Sequence, residues 1–217
     1  MSIGSLFSVA DLERIRAATV TAESSTGGEI VPYLVGQIDG YDVAHWRGAA
    51  LFAMLAAVMA GLMCRHGGSW GGECLWWLTL PTLLGGGLGY ASAFIAGVRR
   101  FLLITADIDR QVRWRAEAAF LEEEVFNTQD RTGVLIFLAL FERRAVILAD
   151  CGINKVVVPD VWQTLVDALV TGIRQGQETE ALCQAIEGCG KVLQEHKVEM
   201  RADDRDELHN GLRIREH

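Results

Sequence analysis

Three aspartates, Asp39, Asp42 and Asp150, are the residues of this chain best suited to hold a divalent cation. Carboxylates are hard oxygen ligands of the kind that Ca²⁺ and Mg²⁺ prefer. Asp39 and Asp42 follow one predicted strand, and Asp150 closes another. If those strands run parallel, their carboxyl ends share an edge, where open α/β sheets tend to bind ligands. The Gly152 amide beside Asp150 could then cradle an anion. The plainer use of the same residues is structural: solvated turn positions at 39 and 42, and a loop cap at 150.

Other constellations carry less. Gly67-Gly68-Ser69-Trp70-Gly71 matches the nucleophile-elbow pattern. That motif needs a strand before it and a helix after it, and this copy joins two apolar runs. Cys183, Cys189 and His196 resemble a metal set, but a single helix turns Cys183 well away from Cys189. Glu142 and Arg143 read as a solvated turn at the tip of a β-hairpin, with Asp130 and Arg131 at its other end. Glu29 begins the first strand. His45, His66 and His209 have no partner nearby in sequence, and Asp203 to Glu207 is a solvated acidic tail. No nucleophile–base pair, phosphate loop or strong metal spacing stands out, so no catalytic residue is assigned. The five cysteines include no CxxC and form no disulfide framework. Cys151, Cys183 and Cys189 read as reduced thiols; Cys64 and Cys74 could pair if their side of a membrane is oxidising.

The elements that must position these groups include an unusual pair. Gly48 to Cys64 and Cys74 to Val98 carry no charge, and only Arg65 to Glu73 separates them. Two such runs read as a transmembrane helical hairpin, because buried helices of soluble cores usually keep a polar stripe. Trp46, Trp70, Trp76 and Trp77 sit at the edges, where an indole suits the headgroup level. The loop has Arg65 alone, while Arg47, Arg99, Arg100, Arg110, Arg113 and Arg115 flank the runs. The positive-inside rule then puts both flanks, with the N- and C-termini, in the cytoplasm. The first residues include Asp11, Glu13, Arg14 and Arg16 and no apolar h-region, so no signal peptide is read. Ala49, Ala53, Ala57 and Gly61, and Gly85, Gly89, Ala93 and Gly97, form small-residue stripes suited to close pairing of the two helices, or of two copies. Pro81 and Gly85–Gly87 should loosen the second helix.

The net charge of −8 over 217 residues lies outside the hairpin and argues against nucleic acid as a partner. A helix from Ser8 to about Ser24 precedes a strand, Glu29 to Gly36, in which Pro32 implies an edge or a bulge. A long helix covers about Ile104 to Phe126. Gly133–Leu140 and Arg144–Asp150 must form an antiparallel hairpin, since so short a link allows nothing else. Both are apolar nearly throughout, so helices should cover both faces. Helices starting at Pro159 and near Thr179 follow, then a charged tail from Lys197 with no obvious core element.

RTGVLIFLALFERRAVILADCGI, the following VW and helix, and ETEALCQAIEGCGKVL resemble the TPM-domain family. AESSTGGEIVPYLV is similar to that family's opening helix and first strand. The resemblance covers roughly Ser8 to Gly40 and Phe120 to His196, and points to a membrane subgroup with a two-helix insertion. It implies a sheet flanked by helices on both faces. Members have been associated with phosphatase activity, divalent metal binding and photosystem maintenance.

The expectation is therefore an α/β fold: a small mixed sheet flanked by helices on both faces, with an inserted transmembrane helical hairpin. Its parts are 1–45, the first helix and strand; 46–98, the hairpin; 99–196, the rest of the domain; and 197–217, the tail. The expected role is an interaction or assembly module at the inner membrane, with the bilayer and a membrane protein or a second copy as partners. The alternative is a divalent-metal-dependent phosphatase using Ca²⁺ or Mg²⁺ at Asp39, Asp42 and Asp150.

Overall fold

The computed structural model describes residues 7–38, 42–66, 74–102, 105–196 and 208–215. Helix α1, Val9–Glu23, begins at a capping box. The Asp11 amide donates to Ser8 Oγ at 3.1 Å, and the Ser8 amide donates to Asp11 Oδ2 at 2.9 Å. Two otherwise unsatisfied amides are thereby met at the helix start. Ile15, Thr19 and Ala22 form its buried face, in keeping with the sequence spacing.

Four strands form one mixed sheet: β1, Glu29–Val35; β2, Gly133–Ala139; β3, Arg144–Ala149; and β4, Arg213–Arg215. Their order is β3-β2-β1-β4. β1 runs parallel to both β2 and β4, while β2 and β3 are antiparallel. β4 was not expected from the charged tail.

Pro32 sits in a strand with neighbours on both sides, and hydrogen bonding shows why this is tolerated. Glu29 N–H donates to the Thr132 carbonyl on the β2 side, and Gly36 N–H donates to the Arg215 carbonyl on the β4 side. Alternation along β1 therefore turns position 32 toward β4. But β4 pairs only with Tyr33 to Val35, so no ladder bond is due at Pro32. One turn of the pattern earlier, the Ile30 amide faces that open side too, and Glu23 Oε1 accepts from it at 2.8 Å. The proline marks a local edge within an inner strand.

Helices cover both faces of the sheet. On one, Ile30, Leu34, Ile136 and Leu138 pack with α1, with α7 (Pro159–Arg174) and with α8 (Glu178–Glu195). Pro159 occupies the first turn of α7, where its missing amide costs nothing. On the other, α5 (Thr105–Glu122) buries Val112, Ala116 and Ala119. Arg115 of α5 donates to the Tyr33 hydroxyl at 2.8 Å, and the Tyr33 ring stacks on Phe137. α5 ends earlier than expected, at Glu122, with Glu124 in the left-handed region at φ 52°.

The chain divides into two compact units, 1–38 with 109–217, and 39–108. The sheet belongs to the first. The second contains α2 (Asp42–His66), α3 (Cys74–Ser92) and the short α4 (Ala96–Leu102). α2 and α3 pack together through small residues. A Cβ at Gly89 would strike the Gly48 carbonyl, and one at Gly85 would strike Phe52 O and the Ala56 methyl. Gly61 and Gly97, placed on the stripes by spacing, have nothing within 4 Å of where a Cβ would sit. The contact seam is thus shifted toward the start of α2.

Among the described residues one helix, Val43–His66 of α2, is long and apolar enough to cross a membrane, with mean hydropathy 1.8. α3 is not a second such helix, which departs from the expected pair of spans. Its glycines, threonines and tryptophans dilute the leucines, and Pro81 lies within it.

Candidate functional site

Asp150 closes β3 and caps the short helix α6, Cys151–Asn154. Its carboxylate is 5% exposed. Oδ1 accepts from the Cys151 amide at 2.6 Å and from Arg131 at 3.2 Å, and Oδ2 lies 2.8 Å from Arg131 Nε. Both oxygens are therefore engaged, and a metal ion here would have to displace the guanidinium. Arg131 itself is left-handed, at φ 58°, and its guanidinium lies over the Phe126 ring. The Asp150 contact holds its pKa above the usual arginine value. Gly152 donates to the Arg131 carbonyl at 3.0 Å, and any Cβ there would strike the Asp130 and Arg131 carbonyls. The Gly152 amide is thus spoken for within the fold.

The three expected metal ligands do not share one edge by the argument that grouped them. That argument needed the strand ending at Asp150 to run parallel to β1. β3 is antiparallel to β2, and β2 is parallel to β1, so β3 opposes β1. Asp150 N–H donates to the Gly133 carbonyl, and Gly133 is in register with Glu29, so Asp150 stands at the start of β1. The chain leaves β1 at the other end, through Gly36 to Ile38. Asp39 lies outside the described residues. Asp42 opens α2, and its side chain also lies outside them. Among the described residues, no three His, Cys, Asp or Glu side chains group to hold a metal ion.

At the opposite end of the sheet, Glu142 is not the solvated turn residue expected. It is 4% exposed, and its Oε1 accepts from the Ile38 amide at 3.1 Å. Here Phe141 N–H also donates to the Gly36 carbonyl. Glu142 ties the exit of β1 to the β2–β3 turn, whose Arg143 is left-handed at φ 51°. Glu123 does a similar service for β4, receiving Arg213 at 3.2 Å.

The cysteines are separated by their surroundings. Cys183 and Cys189 are buried in the core under α8, and burial pushes the Cys189 thiol up to about 12. Burial raises Cys183 as well. Cys151 is exposed. The Cys64–Cys74 pairing falls outside the described residues, because the Cys74 side chain does. Native protein treated with iodoacetamide at pH 8 will be alkylated at Cys151. Cys189, with so little thiolate, will react roughly a thousandfold more slowly than an ordinary thiol until urea opens the core. Peptide mass mapping reads the order directly.

One feature was not visible in the sequence. β3 is an edge strand, and beside it runs a groove of about 800 Å³. Asp109 and Arg113 of α5 line it from one face of the sheet; Trp162, Val166 and Arg174 of α7 line it from the other. Trp162 is 5% exposed, and its indole N–H meets no acceptor among the described residues. The apolar run of β3 reads the same whether a strand is central or at an edge, so only the topology reveals this groove.

No protein-family model matches the sequence, and no curated protein matches it either. Among solved structures, the chain is similar to the NMR structure of BA42 protein from the psychrophilic bacterium Bizionia argentinensis. The identity is 22%, over 96% of this chain and 95% of that one, with a TM-score of 0.57. That likeness is one of fold.

Proposed function

We propose that this protein is a membrane-anchored, TPM-like α/β domain that serves as an interaction or assembly module at the inner membrane. The observation that carries the reading is the surface of α2. Val43–His66 has mean hydropathy 1.8, and its most apolar stretch is only 11% buried. Leu51, Met54, Leu55, Val58, Met59, Leu62 and Met63 are all exposed. Their spacing of three and four residues sets them on one broad face covering about half of the helix circumference, and so wide an exposed apolar face is one that water opposes and lipid accommodates. α3 pairs with α2 through glycine and adds Leu80, Leu83, Leu84 and Leu88 to the exposed apolar surface. In this reading the two helices form the anchor, and the arginine-bearing flanks stay in the cytoplasm.

The test is topological. Green fluorescent protein fused to the C-terminus fluoresces only in the cytoplasm. A fluorescent fusion that pellets with membranes after carbonate washing is the expected outcome. A dark fusion overturns the orientation, and a fusion released by carbonate overturns the anchor.

A further inference from the structure

We infer that α4 is an interfacial helix: together with the turn before it, it docks on the surface of a lipid bilayer at the level where α2 begins. This rests on reading α2 and α3 as an anchor. It adds to that anchor a segment that lies along the membrane rather than through it.

The level of α4 is set by what it touches. α4 packs on α2, and a Cβ at Gly48 would meet Leu102 Cδ1 at 3.1 Å, so the end of α4 lies beside the first turns of α2. The turn before α4 is held at the same place. The His45 ring lies 4.9 Å from the Tyr90 ring and 4.7 Å from that of Phe94. His45 Nδ1 is 3.2 Å from the Tyr90 carbonyl, and Trp46 stands edge-on to Tyr90. The uncharged run of α2 starts at Gly48. In an anchor of this kind, residues 45–48 mark the boundary between headgroups and hydrocarbon, the depth that tryptophan and tyrosine favour.

What α4 presents outward at that depth is apolar. Val98 and Leu102, four residues apart, are partly buried, whereas Gly97 and Phe101, also four apart, are exposed. Phe101 is 87% exposed, and Phe94 and Ile95 in the preceding turn are exposed as well. Large apolar side chains gathered on one surface are what water opposes. The occupant is lipid rather than a protein because this face continues the anchor: Trp46, Tyr90 and Phe94 are in successive ring contact, and all three are exposed. The lipid that covers α2 thus reaches α4 without a break. Charge does not seat the helix. Residues 39–48 and 93–108 hold three arginines and three aspartates, which cancel. Phenylalanine entering the headgroup–acyl boundary does, at the depth of about 5–10 Å typical of such helices.

The experiment places the full chain in phosphatidylcholine vesicles. The native tryptophans are replaced by phenylalanine, and one tryptophan is returned by Phe101→Trp or, in the middle of α2, by Met54→Trp. Lipid brominated near the top of its acyl chains will quench the Phe101→Trp emission at least twofold more than lipid brominated near the chain ends. Met54→Trp will show the opposite order. Adding anionic lipid will leave both ratios unchanged. A Phe101→Trp emission that acrylamide quenches and neither lipid does would put α4 in water and overturn the inference. Strongest quenching from the chain ends would make α4 part of a span and overturn it. Protection from acrylamide and from both lipids would overturn it in favour of a protein partner, and shallow quenching seen only with anionic lipid would overturn the apolar docking. In the native background, which does not depend on the folding of the tryptophan-free chain, Phe94→Ser with Phe101→Ser will speed tryptic cleavage after Arg100 in vesicles at least tenfold. An unchanged rate also overturns the inference. If neither lipid quenches Met54→Trp, the anchor itself fails; if Met54→Trp is quenched and Phe101→Trp is not, this inference fails alone.

Discussion

Leucine at Gly89 will part α2 from α3. A Cβ there meets the Gly48 backbone carbonyl well inside van der Waals contact, and the Gly48 side needs the same space. The obstacle is backbone, so no rotamer change relieves it. Overpacking costs typically 1–3 kcal/mol where side chains can yield, and a backbone collision lies at or above the top of that range. The seam has a suitable reporter in Ala53 and Gly86, where a Cβ on Gly86 would lie 3.6 Å from the Ala53 methyl. Cysteines placed at both positions, in a chain with its native cysteines replaced, will form a crosslink under mild oxidation. Adding Gly89→Leu will cut crosslinking at least tenfold. Gly87→Leu will not, because nothing lies within 4 Å of a Cβ at that position. If both leucines leave the yield unchanged, the helices do not pair through this seam.

Asp150→Ala will produce the largest loss of stability from a single polar residue. The change removes the N-cap of α6, which is worth about 1 kcal/mol. It also removes the partner of the Arg131 guanidinium and of the Cys151 amide. Arg131 is about half exposed, which discounts the ion-pair share. A total of about 2–4 kcal/mol is expected. Asp150→Asn keeps an acceptor for the Cys151 amide, so its loss should be about 1 kcal/mol. Urea midpoints of the three proteins decide the point. A shift under about 0.5 kcal/mol for the alanine variant would show that the carboxylate is not a structural cap.

These outcomes also bear on what the residues alone disclosed. Helix starts were legible where a local rule fixes them, as at Ser8 with Asp11 and at Pro159. The β2–β3 hairpin was legible because Phe141 to Arg143 leaves no room for another connection. β4 was not, since Arg213-Ile214-Arg215 has no apolar alternation. Its pairing comes from backbone bonds to β1 and from Glu123, which lies far away in sequence. Glu142 looked like a turn residue because its amide acceptor role depends on Ile38, which only folding brings near. The premise that set Asp39 beside Asp150, a strand ending at Asp150 that runs parallel to β1, failed on strand direction, which spacing does not encode. The β3 groove is likewise a product of sheet order.

The parallel pairing of β1 with β2 has a kinetic side. Val35 and Gly133 are separated by roughly a hundred residues, and closing so long a loop must precede any reward from the ladder. α2 and α3 pack against each other early in chain order, with Gly48 near the start of one and Gly89 near the end of the other. Once that pair forms, the effective loop between the two strands shrinks to the stretches on either side of it, 36–47 and 90–132. The insertion thus acts as a clasp on the search for the sheet. Loosening the helix pair should slow the folding of a domain that contains neither helix.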